Sequence, residues 1–337
     1  MRRIGIALIA VGLMAVSANA ADLEMQYVDK VDRLMENGDY VAVKGLRAEM
    51  ERRKLSTMLV PSFADLDHCI AAGSATVTQA ETKAIAADKR NSDNFSPDEL
   101  TAMVAFANGW GVRVDRKRAT ALACRSDELT RAEWEDTVEF LASPKNAAKP
   151  YLFCEHITSG LHGGMCEGFA QDKDQVVRDR KLAKIVAGFT PEQKSAFAAL
   201  KKADEAYTDA HSREEQDMSG TLRGAFYAEE AGKLRAAFLN FIEGFESGKR
   251  PPKDDFAVAD KALNGAYRTV ITKTDWTATG TVTADGVRKT ERLWLKLRDA
   301  WAAFGTARYP GSSADDWKAW ATRQRVESLK AGFRPFE

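Results

Sequence analysis

Long apolar runs, a charge excess of either sign, strand patterning and cysteine are all scarce in this chain, and each scarcity removes a class of protein. Past Val16 no stretch reaches the roughly 18 uninterrupted apolar residues that a membrane-spanning helix needs, so no span is expected beyond the first residues. Forty-nine Lys and Arg face 49 Asp and Glu across 337 residues, a balance that offers nucleic acid no basic surface. Almost nothing alternates like a strand. Thr277 to Thr283, TATGTVT, is the one candidate, and its glycine and threonines read equally well as a loop. The marks of catalysis are missing too. Gly160, Gly163 and Gly164 lack the Lys-Ser/Thr of a phosphate-cradling loop. Ser219 before Gly220 lacks the strand-turn-helix setting of a nucleophile elbow. The acid-rich phrase HSREEQD, His211 to Asp217, reads as a solvated helix face or a turn, not as two carboxylates set across a cleft. No catalytic residue and no cofactor is expected.

What is present begins with MRRIGIALIAVGLMAVSANA: two arginines, an apolar run from Ile4 to Val16, then small residues at Ala18 and Ala20. That is the pattern of a cleavable secretory signal, so residues 1–20 are expected to be removed near Ala20/Ala21 and the rest to work in a periplasm or outside the cell. Four cysteines follow, Cys69, Cys124, Cys154 and Cys166, an even number that suits disulfides in an exported chain. Four allow three pairings; Cys69 with Cys124 and Cys154 with Cys166 is the preferred one. Cys154, His156, His162 and Cys166 are also metal-ligand types. Their spacing forms no regular finger, and an oxidising compartment favours the disulfide, so no metal is expected. His68 and His211 stand alone and read as structural or solvent-facing. Between Cys154 and Cys166 the segment EHITSGLHGGM, with three glycines, suits a tight irregular loop. A stapled loop loses little entropy on binding, which makes His162 and Met165 candidate contact residues.

Helix signals dominate the rest. Ser96-Pro97-Asp98-Glu99, Thr130-Arg131-Ala132-Glu133 and Thr190-Pro191-Glu192-Gln193 are capping boxes, in which the first and last side chains satisfy free amides at a helix start. Apolar residues three or four apart, such as Leu234, Phe238, Phe241 and Phe245, continue the pattern. The expected fold is all-α. Pro/Lys breaks at Ser143 to Pro150 and Gly248 to Asp255 divide it into an N-terminal helical region (21–146), a middle region (147–250) and a C-terminal module (251–337).

Two stretches resemble known families. AFANGWGVRVDRKRATALAC, Ala105 to Cys124, resembles one unit of a Sel-one-like repeat, with Gly109, Gly111, Val112, Asp115 and Ala119 in matching places. The glycines permit a sharp reversal and Asp115 can cap the next helix. A solenoid needs about three such units, so a single structural hairpin is expected. The C-terminal module resembles the LprI-type lysozyme-inhibitor family: Asp260, Leu263, Asn264 and Tyr267 on one helix, then Trp294, Arg298, Asp299 and Trp301 on the next, with Thr322, Arg325 and Leu329 on the last. Unlike many members, it has no cysteine after the Arg-Asp pair, so packing must do the stapling.

The resemblance implies an exported inhibitor that occludes a lysozyme or another cell-wall hydrolase by stoichiometric protein-protein contact, without catalysis. An envelope scaffold or a peptidoglycan- or glycan-binding protein sharing only the fold is the alternative. The module carries 15 basic and 11 acidic residues from Lys253 on, which gives no long-range attraction to cationic lysozymes. On a 3.6-residue period Glu291, Trp294, Arg298 and Trp301 share a stripe, as do Asp260, Asn264 and Tyr267. The structural expectation is Arg298 held by Asp260 or the amide oxygen of Asn264 and flanked by Trp294 and Trp301. Five of the seven tryptophans, including Trp276, lie in this module, which is also what a sugar-stacking shelf needs. Trp317 and Trp320, three apart after a Ser313 cap, are candidate surface anchors.

Overall fold

The computed structural model describes residues 22–90 and 99–333, and these form thirteen α-helices, two short 3₁₀ segments and no strand. The expected signal segment and Ser96 to Asp98 lie outside the described residues. No described helix is long and apolar enough to cross a membrane. The chain divides into two compact units, one ending at Ser159 and the other starting at Gly160.

The first unit holds α1 (22–36), α2 (Tyr40–Arg52), α3 (Phe63–Ala72), α4 (Gln79–Ala87), α5 (Glu99–Asn108), α6 (Arg116–Arg125) and α7 (Arg131–Ala142). Between α5 and α6 the chain turns through Gly109 and Gly111, at φ +75° and +77°. A side chain at Gly111 would meet the Ala84 carbonyl oxygen at 2.4 Å, so glycine is required there for space as well as for φ. The Asp115 carboxylate accepts from the Arg118 amide and caps α6, whose Ala119 is fully buried. Cys69 of α3 and Cys124 of α6 are bonded, with Cα atoms 5.7 Å apart and both residues buried. No cysteine of the chain is free. The capping acid Glu133 accepts from the Thr130, Thr158 and Ser159 amides, which explains a carboxylate that is fully buried.

The second unit holds α8 (Gly160–Ala187), α9 (Pro191–Glu214), α10 (Arg223–Glu246), α11 (Phe256–Lys273), α12 (Ala284–Arg308) and α13 (Ala314–Gly332). Thr190 and Ser313 start α9 and α13 with capping boxes. One core runs from Leu182 to Leu329 and includes Phe197, Phe238, Phe245, Leu263, Trp294 and Trp317. It crosses the break expected at Gly248 to Asp255. Pro251 and Pro252 only separate α10 from α11, and the Arg323 guanidinium holds Asp254 by two hydrogen bonds of 2.7 and 3.0 Å. Thr277 to Thr283 is a turn fixed by Asp217, which accepts from the amides of Ser219 and Thr281.

The irregular loop expected after Cys154 is corrected from Gly160 onward, where α8 begins. Its glycines serve packing. A side chain at Gly164 would lie 3.1 Å from the Gly224 Cα, and on the α10 side one at Gly232 would strike the Gln171 amide of α8. Glycine here lets α8 and α10 approach closely, a use that sequence spacing does not distinguish from turn formation.

Candidate functional site

The second unit is organised around a charge cluster with no exposure to speak of. Tyr207, His211 and Glu215 recur every four residues at the end of α9, and Asp204 precedes them on the same face. Arg325 reaches across from α13. Its Nη1 and Nη2 donate to Glu215 Oε2 and Oε1 at 2.9 and 2.6 Å, its Nε donates to Glu291 of α12 at 2.9 Å, and Nη1 also reaches the Tyr207 hydroxyl at 3.3 Å. On the other side of Glu215, His211 Nδ1 lies 3.0 Å from Oε2, while His211 Nε2 lies 3.4 Å from Glu230 of α10.

These contacts set the ionisation states. Burial disfavours the charge on Glu215, yet His211 and Arg325 outweigh it and hold the carboxyl at about 2. Burial likewise opposes the charge on His211, and Glu215 and Glu230 raise its pKa nonetheless. For Glu291 burial wins, and its pKa is raised despite Arg325. The acid-rich phrase His211 to Asp217 is therefore not a solvated face: two of its residues carry the buried cluster. Nor is His211 isolated.

Beside the cluster lies a partly open cavity of about 210 Å³. Its aromatic walls are Tyr207 from α9, Phe238 and Phe241 from α10, Trp294 and Trp301 from α12, and Trp320 from α13. Half-buried Leu234 and Ala237 and exposed Gln324 form the outer part of the lining. Asp204 also lines it, 9% exposed, and burial pushes its carboxyl up to about 8, with Glu205 adding to the rise and Arg235 and Lys201 opposing it. The cavity is smaller than the roughly 300–1,000 Å³ of drug-sized sites, so its volume suits a single ring or a compact head group.

The residues singled out from sequence fall in different places. Arg298 does meet Asp260, at 3.6 Å, and its guanidinium lies over Trp294 and Phe256. Asn264 donates to Asp260, its amide oxygen accepts nothing from Arg298 among the described residues, and Asp299 takes a second ion pair with Arg298 at 2.9 Å. Trp301 turns away into a ring cluster with Phe238, Phe245 and Trp317. The fully buried arginine is thus Arg325, not Arg298. Asp260, Leu263, Asn264 and Tyr267 line a separate surface recess of about 300 Å³ with Arg288 and Leu295. Trp317 is corrected as a surface anchor: it is fully buried, and Trp320 is half-buried over Phe241. His162 is buried in α8 and Met165 is half-buried, which leaves the first with no face to offer a partner. Trp276 packs on Phe333. Among the described residues no group of three or more His, Cys, Asp or Glu is placed to hold a metal ion.

No protein-family model, no curated protein and no solved structure matches this chain.

Proposed function

We propose that this chain is an exported, non-catalytic binding protein that holds a small ligand in the cavity between α9, α10, α12 and α13. The observation that carries the reading is the lining itself: six aromatic side chains beside a buried carboxylate, in a pocket that the surrounding core has not filled. Four cysteines all engaged in disulfides support an oxidising compartment. Calorimetric titration of the mature protein with p-cresol, a neutral single ring, tests occupancy. One-to-one binding is expected in the parent, with at least about tenfold weaker binding after Ala237→Phe, which plugs the half-buried rim. Binding that Ala237→Phe leaves unaffected overturns the reading, as does a cavity that takes up neither this neutral ring nor a charged ligand of similar size.

A second reading, inhibition of a lysozyme as in the LprI-type family, is favoured by the surface recess that gathers Asp260, Leu263, Asn264 and Tyr267. Asn264 is exposed there and open to a partner. Lysis of bacterial cell walls by lysozyme, titrated with the protein, should stop near one-to-one and resume with Asn264→Arg; undiminished lysis removes this reading.

A further inference from the structure

Within the cavity one group lacks a counterpart. Asp204 is nine-tenths buried, and among the described residues it makes neither a hydrogen bond nor an ion pair. Lys201 and Arg235 act on it only through their field, and Lys201 is engaged by Asp179 at 3.1 Å. A carboxylate left unpaired in such a place is strongly destabilising, so either it stays protonated or something brings it a positive charge. The other charged group in the lining, Arg325, is already met by Glu215 and Glu291 and therefore presents no unbalanced cation.

We propose that the cavity binds a small organic cation of the alkylammonium class, with Asp204 as its counter-ion and the faces of Phe241, Trp294, Trp301 and Trp320 as its cage. Aromatic faces carry negative potential and attract a desolvated ammonium, an effect that quaternary ammonium sites exploit. An anion finds no free charge here. A neutral apolar ligand leaves Asp204 unpaired, and a sugar chain exceeds the volume. A compact cation satisfies the rings and the carboxylate together. This inference rests on the cavity being the binding site, and it names the ligand's charge.

The test compares choline with 3,3-dimethylbutan-1-ol, which replaces the ammonium nitrogen by carbon at nearly the same shape. Titration calorimetry on the mature full chain at pH 8 should show one-to-one choline binding, with the neutral analogue at least about tenfold weaker. Asp204→Asn, isosteric and uncharged, should weaken choline at least about tenfold and leave the neutral analogue unchanged; the far-ultraviolet spectrum checks that the variant is folded. Equal binding of the two ligands, or choline binding unaffected in Asp204→Asn, overturns the inference. If p-cresol binds and choline does not, the cavity takes neutral ligands and only the charge assignment fails. If neither binds, the cavity reading fails with it.

Discussion

Arg325 and Glu215 lie 110 residues apart in sequence and meet as a two-pronged ion pair whose side chains are 0% and 2% exposed. The pair ties the last helix to the end of α9, with Glu291 fixing the third edge of the guanidinium. Removing one partner of a buried pair typically costs about 3–5 kcal/mol, because the remaining charge stays buried and unmatched. Arg325→Met leaves Glu291 without its cation and Glu215 with His211 alone, and should lower the unfolding free energy measured in urea by about that much. Arg325→Lys should recover little, since an ammonium cannot reproduce the fork that meets Glu215 and Glu291 at once. A midpoint equal to the parent's in Arg325→Met sinks this assignment.

The cavity acid makes stability depend on pH in an unusual direction. Asp204 is raised to about 8 in the folded chain against 3.8 for the ordinary side chain, so between those values the folded state holds a proton that the unfolded state has released. Stability from this group therefore falls as pH rises from 4 to 8, by at most about 1.4 kcal/mol per unit. Glu215 is the opposite case. It is lowered to about 2, so its contribution is present above 4.5 and disappears as pH falls through 2. His211, raised in the fold, adds a further loss on the alkaline side. The melting temperature should peak on the acid side of neutrality, and Asp204→Asn should flatten the fall between pH 5 and 8. A variant whose melting profile parallels the parent's contradicts this account.

Much of this fold was legible in sequence because helix starts are local events. Thr190 and Gln193, or Ser313 and Asp316, satisfy amides within one turn, so their spacing alone announces them. The reversal at Gly109 and Gly111 is equally local. The candidate site was less legible for the opposite reason. Asp204, Tyr207, His211 and Glu215 do carry a helical spacing of three, four and four. Whether that stripe faces water or core is decided by Arg325, more than 100 residues later, and polar residues on one face ordinarily mean solvent. Arg298 and Arg325 each lie within reach of acids in helical register, and nothing in their spacing shows which one the core encloses.

The Cys69–Cys124 bond joins α3 to α6 across a separation of 55 residues, inside a unit that is stabilised by several short helices. Loops of that size constrain the unfolded chain substantially, and losing such a bond typically costs about 2–5 kcal/mol. Cys69→Ala with Cys124→Ala should cause such a loss. Amide exchange in α3 and α6 should accelerate with it; unchanged protection there argues that packing alone holds these helices.

Gly305 of α12 gives the sharpest test of the packing around the site. In an open helix, glycine to alanine gains up to about 1 kcal/mol, because alanine restricts the unfolded chain and propagates the helix better. Here a Cβ would lie 2.2 to 2.6 Å from three atoms of the Trp317 indole. The ring cannot retreat: it is fully buried, with Phe245 at 4.7 Å, Tyr309 stacked at 5.6 Å and Trp301 stacked at 6.4 Å. Overpacking of this kind costs about 1–3 kcal/mol, so the sign should invert for Gly305→Ala. Gly265 of α11 is the control, exposed and with nothing within 4 Å of the added carbon. Melting the two variants side by side should show Gly265→Ala at or above the parent and Gly305→Ala several degrees below it, at roughly 2–4 °C per kcal/mol for a unit of this size. Displacing the Trp317 ring would also press on Trp301, so Gly305→Ala should weaken cavity binding from outside the cavity; parent-like affinity in that variant would mean the aromatic wall tolerates movement that this packing forbids.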